Sequence, residues 1–249
     1  MTALPPLLCL FWMASTSTYI LKPFSPHLSH ILTYGKTAST ADIRGWGPGR
    51  IPTYMAWRSF YLLGVATWTF ALLYPLSPLT LPLSLVGLHL VRRVVETWFV
   101  HIYSPAHVAA IHVFAGSAYY VAMPLTVAVA ASPPPSSPST VGMGLGLVLF
   151  TLGSALQSWT HLCLRWARTH NNNDNEKKEK KNKYVRLEGG VFDVWASPHY
   201  VGEVVLYLGL WVVMGGGGWV GTSMVVFVCV NLWDKASAAS RFAAHSSSQ

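Results

Sequence analysis

The chain has 249 residues, of which 52% are hydrophobic and only 10% charged. Soluble globular domains carry about 25% charged residues, so this balance excludes a water-soluble domain and points to a chain that places most of its surface in lipid. The formal net charge of +8 does not mark a nucleic-acid binder, because the Lys and Arg residues gather in loops between apolar runs, where they set orientation across a membrane.

Apolar runs long enough to cross a hydrocarbon layer of about 30 Å recur along the whole chain. The first predicted helix is Leu4–Leu21. No Lys or Arg precedes it and no small-residue cleavage site follows, so it is read as a retained membrane helix. A polar loop, Lys22–Ala56, carries the breaker run Gly45-Trp46-Gly47-Pro48-Gly49. The second helix is Trp57–Leu76 and the third Leu83–Tyr103. After the turn Ser104-Pro105 comes the fourth, Ala106–Ala131, and then a stiff uncharged loop, Pro133–Thr140. The fifth helix is Val141–Leu164. Arg165–Ser197 is the densely charged part of the chain, and residues 169–183, ending NNNDNEKKEKKNK, read as a disordered insertion. The sixth helix is Pro198–Met214, the glycine run Gly215–Gly218 is a tight turn, and the seventh is Trp219–Leu232. The expected fold is all-α, a polytopic membrane bundle of about seven transmembrane helices. Residues 1–33 hold the first helix and the start of its loop, and 34–249 form one membrane domain.

The charge distribution supports this count. Seven crossings put Lys22–Ala56, Ser104-Pro105, Arg165–Ser197 and the tail after Leu232 on one side. The opposite loops contain no Lys or Arg. Positive charge favours the cytosol, so the N-terminus is expected in the lumen and the C-terminus in the cytosol.

Titratable residues inside such runs are costly and normally line a polar site. On the third helix Glu96 stands four residues from Arg92 and three from Arg93, so either can pair with it on the helix surface, and His89 lies on the same helix. On the fifth helix Gln157, His161 and Arg165 repeat at helical spacing, with Arg168 one turn beyond His161's successor positions. A guanidinium holds phosphate through two parallel bonds, so Arg165 and Arg168 suit an anionic cofactor. The sixth helix opens Ser197-Pro198, a cap followed by a residue with preset φ, and brings His199, Tyr200 and Glu203 into its first turns. No zinc motif is present: there is no HExxH, and His107 and His112 fall on different faces. Metal is therefore not expected. The dinucleotide fingerprint, the phosphate loop and the Gly-x-Ser-x-Gly elbow are also missing, so any nucleotide would bind between helices and basic loop residues. Cys9, Cys163 and Cys229 sit in apolar segments and are expected as free thiols. No internal repeat supports a transporter.

Tyr184–Leu210, with EGGVFDVWASPHYVGE at its centre, resembles the C-terminal signature of the steroid 5α-reductase family. Its Ser-Pro-His-Tyr form is similar to the polyprenol (polyprenal) reductase branch. YGKT at Tyr34–Thr37, RRVVE at Arg92–Glu96 and the Gln157/His161/Arg168 spacing fall in the same order as in that family. The resemblance implies a seven-helix, multi-pass enzyme of the endoplasmic reticulum that uses NADPH to reduce a double bond conjugated to a carbonyl. In that branch the substrate is a long polyprenyl lipid, reduced at its α-isoprene unit on the route to dolichol and protein N-glycosylation. It also implies roles by position. His199, Tyr200 and Glu203 would lie at the nicotinamide half of the cofactor. Gln157, His161, Arg168, Tyr184 and Arg186 would hold its ribose and phosphates, and Arg93, His89 and Glu96 would line the substrate cavity. The tail differs from the family: after Leu232, only Arg241-Phe242 matches its basic ending. Two alternatives stay open, a steroid or enoyl-thioester reductase on the same scaffold and a non-catalytic membrane partner.

Overall fold

The structure, a computed structural model, describes residues 3–32, 50–73, 80–103, 106–131, 139–175, 187, 189–195 and 197–246. Helix α1 (Leu4–Leu21) passes through a 3₁₀ turn (Lys22–Phe24) into the short α2 (Pro26–Leu32). Helices α3 (Thr53–Leu73) and α4 (Leu81–Val95) follow, and α4 continues as a π-helical turn over Glu96–Val100. Then come α5 (Ala110–Ala130), α6 (Thr140–Asn175), the one-turn α7 (Val191–Val194), α8 (Pro198–Val213) and α9 (Gly218–Ser246). A small antiparallel ribbon pairs β1 (Arg50–Pro52) with β2 (His107–Ala109), Ile51 opposite Val108.

The seven expected helices coincide with α1, α3, α4 with its π turn, α5, α6, α8 and α9, and the chain is an all-α polytopic membrane protein. Among the described residues, Leu4–Phe24, Ala110–Ala130 and Thr140–His170 are each long and apolar enough to cross a membrane alone, and Pro198–Val213 is apolar but shorter. Large apolar side chains such as Leu7, Phe114, Leu152 and Trp219 face outward, as a lipid-facing surface requires.

Several boundaries differ from expectation: the second helix starts at Thr53, not Trp57, and the fourth at Ala110, not Ala106, because His107–Ala109 form a strand. The third helix ends at Val100, not Tyr103. The fifth continues to Asn175 and the seventh to Ser246. Polar helix that extends past the apolar run gives no hydropathy signal, so both were read as loop or tail. The first residues of the expected insertion therefore belong to α6. Tyr34–Thr37, Tyr184 and Arg186 lie outside the described residues, as does most of that insertion. The ribbon went unpredicted because three-residue strands are too short to show a period.

Among the described residues, helices α6 and α8 make the most extensive pairing. Glycines set it. A Cβ on Gly153 would stand 2.4 Å from the Leu206 nitrogen and 2.5 Å from the Gly202 oxygen. One on Gly209 would stand 2.4 Å from the Phe150 nitrogen and 2.6 Å from the Gly146 oxygen. These neighbours are main chain and cannot rotate away. Small residues at seven-residue spacing on both helices thus let the backbones touch, the usual device for helix pairs in lipid. At the far end of α8, Gly215, Gly216, Gly217 and Gly218 all have positive φ, which side-chain-bearing residues rarely adopt, so the chain reverses there into α9.

At the opposite end, Lys22 pairs with both carboxylate oxygens of Asp234 at 2.7 Å, tying α1 to α9. Thr53 Oγ1 donates to the Ala106 carbonyl at 2.7 Å, and the Arg165 and Arg168 side chains reach the chain just after α4. These contacts join α1 to α9, α3 to the ribbon segment before α5, and α6 to the segment that follows α4.

Gly153→Ala should destabilise the fold by about 1–3 kcal/mol, because the methyl group overpacks against backbone. Gly144→Ala, with open space around its Cβ position, should leave the melting temperature in detergent unchanged. Equal melting temperatures for the two variants would refute this account of the pairing.

Candidate active site

The buried polar residues of the bundle meet between α3, α4, α6 and α8. Helix α4 supplies the charges. Arg93 is 4% exposed and Glu96 5%, and they form an ion pair. Arg93 Nε and Nη2 also donate to the Tyr61 hydroxyl of α3, at 3.1 and 2.8 Å. Both lone pairs of that phenol oxygen are then occupied, and its proton is what it can donate. Arg92 points the other way, toward α6. It donates to the Ser154 carbonyl at 2.7 Å, the Ser158 hydroxyl at 2.6 Å and Gln157 Oε1 at 2.5 Å. It also contacts His89 Nδ1 at 3.1 Å and lies 3.4 Å from Glu96 Oε1. Ser158 donates to the same carboxylate at 2.6 Å.

Gln157, fully buried, carries the network onward. Its Nε2 donates to Glu203 of α8 at 3.0 Å. A continuous chain of charge-assisted bonds therefore runs Tyr61–Arg93–Glu96–Arg92–Gln157–Glu203 and joins α3, α4, α6 and α8. It exists because Gly153 and Gly202 let α6 and α8 approach closely one turn away.

The π turn places the next group. Its i to i−5 bond, His101 N to Glu96 O at 2.9 Å, turns His101 inward. The His101 ring lies 4.5 Å from that of His161, which lies 5.2 Å from His199, and His199 stacks 4.2 Å from Tyr200. π turns cluster at functional sites for this reason, since they re-aim one side chain. In the loop beyond it, burial pushes the Tyr103 phenol up to about 12. Burial, with the charges of Arg93, His199 and Arg168, pushes His101 down to about 3.

Helix α8 begins at Pro198, as its Ser-Pro start predicts, but Ser197 makes no side-chain cap bond and no acidic residue stands in the first turn. That helix start suits an anion. Arg165 and Arg168 stand at the same end, where Arg165 donates to the Phe99 carbonyl and Arg168 to the Ile102 carbonyl at 2.6 Å. Together with the open start of α8, these guanidinium groups suit an anionic group at that end of the helix pair.

Thus His89, Arg93, Glu96, Gln157, His161, His199, Tyr200 and Glu203 are brought together, with Arg92 at the centre. Tyr61, Ser158 and His101 were missed, as was a group of buried phenols in which Tyr119 donates to Tyr207 at 2.8 Å and Tyr120 lies edge-on to Tyr61 at 4.8 Å. They belong to several elements, and spacing within one helix cannot reveal them. The free cysteines are each partly exposed and unpaired. Cys163 lines a separate apolar cleft of about 470 Å³ on the outer side of α6, between Trp159, Trp166 and Phe192.

Residues 134–248 match the family described as 3-oxo-5-alpha-steroid 4-dehydrogenase. The chain is 28% identical over 168 residues to a polyprenal reductase of Caenorhabditis elegans, covering 63% of this chain and 53% of the relative. It is 28% identical over 182 residues to polyprenal reductase 2 of Oryza sativa subsp. japonica, covering 60% and 49%. It is 33% identical over 96 residues to the steroid 5-alpha-reductase DET2 of Solanum lycopersicum, covering 39% and 33%. The architecture and site define a membrane-embedded helical bundle with a buried polar centre. The C-terminal half of the chain is similar to the steroid 5α-reductase family over these residues. It spans about half the length of the polyprenal reductases it matches.

Arg93→Met should cost about 3–5 kcal/mol, because it leaves the Glu96 charge buried with fewer partners. The double variant Arg93→Met/Glu96→Leu should recover most of that loss. Additive losses in a double-mutant cycle would show that the pair is not coupled.

Proposed function

We propose that the protein is an NADPH-dependent reductase that saturates the α-isoprene double bond of a polyprenyl carbonyl lipid. Polyprenal would become dolichal, serving dolichol formation and protein N-glycosylation. We place it in the endoplasmic reticulum membrane with its N-terminus lumenal and its polar end facing the cytosol. The observation that carries this reading is the buried chain from Tyr61 to Glu203, lying against the SPHY segment of a family domain.

The substrate choice has a chemical basis. When bound, the reduced nicotinamide supplies a hydride. Adding it to an alkene requires a sink for the negative charge that develops, which a conjugated aldehyde has and an isolated allylic alcohol lacks. The protein's part is then to donate a hydrogen bond to the carbonyl oxygen, deliver a proton to the α-carbon and keep water out. Three groups can donate: Tyr61, with its oxygen held by Arg93, and His199 and Tyr200 at the start of α8. Glu203, fixed by Gln157, would orient the cofactor amide. The apolar outer face of the bundle leaves the lipid tail in the membrane while its head enters the polar end.

A second reading is favoured by the match to the tomato DET2 steroid reductase: an enone steroid as substrate on the same machinery. Purified protein offered polyprenal and an enone steroid in parallel separates the two.

His199→Ala and Glu203→Ala should each abolish polyprenal reduction; His199→Ala should melt as the wild type does, whereas Glu203→Ala should remain folded but melt lower, because it leaves the Gln157 amide without its acceptor. Glu203→Ala should also weaken NADPH binding measured by fluorescence. Wild-type turnover in both variants would refute the site assignment. Tyr61→Phe and Tyr200→Phe, made singly, should identify the proton donor by which one lowers the rate about 10²-fold or more.

A further inference from the structure

We infer that Glu96, His101 and His161 form a binding site for a divalent transition-metal ion. The inference does not depend on the reductase reading. The ligating atoms of these three residues, one carboxylate oxygen and two imidazole nitrogens, lie within 4.8 Å of one another. Among the described residues, the Nε2 atoms of His101 and His161 are both buried without a hydrogen-bond partner. A buried imidazole nitrogen with nothing to bond is costly, and here each of the two rings grouped with the Glu96 carboxylate carries one, with His161 only 9% exposed.

A tetrahedral ion with bonds of about 2.0–2.1 Å needs ligands about 3.4 Å apart. The three side chains would therefore close by about 1 Å, which rotation of His101 in its loop and of His161 on α6 can supply. Glu96 keeps room for the ion. A carboxylate has about four acceptor positions, and it is held by Arg93, Ser158 and, more distantly, Arg92. Those partners fix its orientation, as outer-shell groups do around metal ligands. The His199 ring lies 5.2 Å from that of His161. His101 is partly exposed at the rim of the bundle, which gives the ion a way in.

The surroundings also select the ion. Arg92 and Arg93 already balance Glu96 and Glu203, so a dication adds uncompensated charge and only strong imidazole binding offsets it. Zn²⁺, Co²⁺, Ni²⁺ and Cu²⁺ meet that demand. Mg²⁺ and Ca²⁺, which need several oxygen ligands, do not.

The test is a Co²⁺ titration of the purified full chain in detergent, without cofactor, followed by visible absorption. The wild type should develop one saturable set of tetrahedral bands, displaced by Zn²⁺ and unaffected by Mg²⁺. His101→Ala and His161→Ala should each weaken binding at least tenfold. His170→Ala, an exposed histidine on α6, should bind like the wild type. Equal melting temperatures of wild type, His101→Ala and His161→Ala in detergent separate lost binding from lost fold. Absence of a saturable band in the wild type, or unchanged binding in His101→Ala and His161→Ala, would overturn the inference.

Discussion

The structure depends on one charge arrangement, the two adjacent arginines of α4 sharing a single glutamate in a water-excluded interior. Unpaired, any of these charges would be too costly at that depth. Paired, they still have donors to satisfy, and satisfying them recruits other helices. Arg93 takes Tyr61 from α3. Arg92 takes Ser154, Gln157 and Ser158 from α6, and Gln157 takes Glu203 from α8. The polar centre is thus the consequence of placing Arg-Arg-x-x-Glu in an apolar helix. The four helices around it are held in register by hydrogen bonds that water cannot replace.

Glycine packing and this network act together. Van der Waals contact between α6 and α8 is what membrane helices rely on where lipid tails are as apolar as their side chains. Gly153 against Leu206 and Gly209 against Phe150 bring the two backbones together, and only at that separation does the Gln157 amide reach Glu203. The aromatic layer behind it, with Trp12 Nε1 bonded to Thr126 at 2.9 Å, then closes the centre from the side of α1 and α5.

Much of this was legible from residue order. Apolar runs fixed the seven long helices, because lipid demands about 20 apolar residues per crossing. Spacing along single helices brought out Arg92/Arg93/Glu96, Gln157/His161 and His199/Glu203; Arg92, Arg93, Glu96, Gln157 and Glu203 join one bonded chain, and His161 and His199 lie ring to ring. Helix ends were legible only where a proline or a glycine run marks them, as at Pro198 and Gly215. The polar extensions of α6 to Asn175 and α9 to Ser246 look like loop, since nothing apolar distinguishes them. Tyr61, Ser158 and His101 were hidden for a different reason. Each joins the centre through a contact between elements far apart in sequence, and the π turn that aims His101 has no residue signature of its own. The same limit hid the meeting of Glu96, His101 and His161, which no ligand spacing along the chain announces.

The function proposed from these features and from the similarity to polyprenal reductases is that of a reductase whose lipid substrate would lie in the membrane while its reactive head meets the buried polar residues. The most direct measurement is lipid analysis of cells lacking this chain. The account predicts that polyprenol accumulates and dolichol falls, and that both are restored by the wild-type chain but not by Glu203→Ala. An unchanged polyprenol-to-dolichol ratio would contradict it.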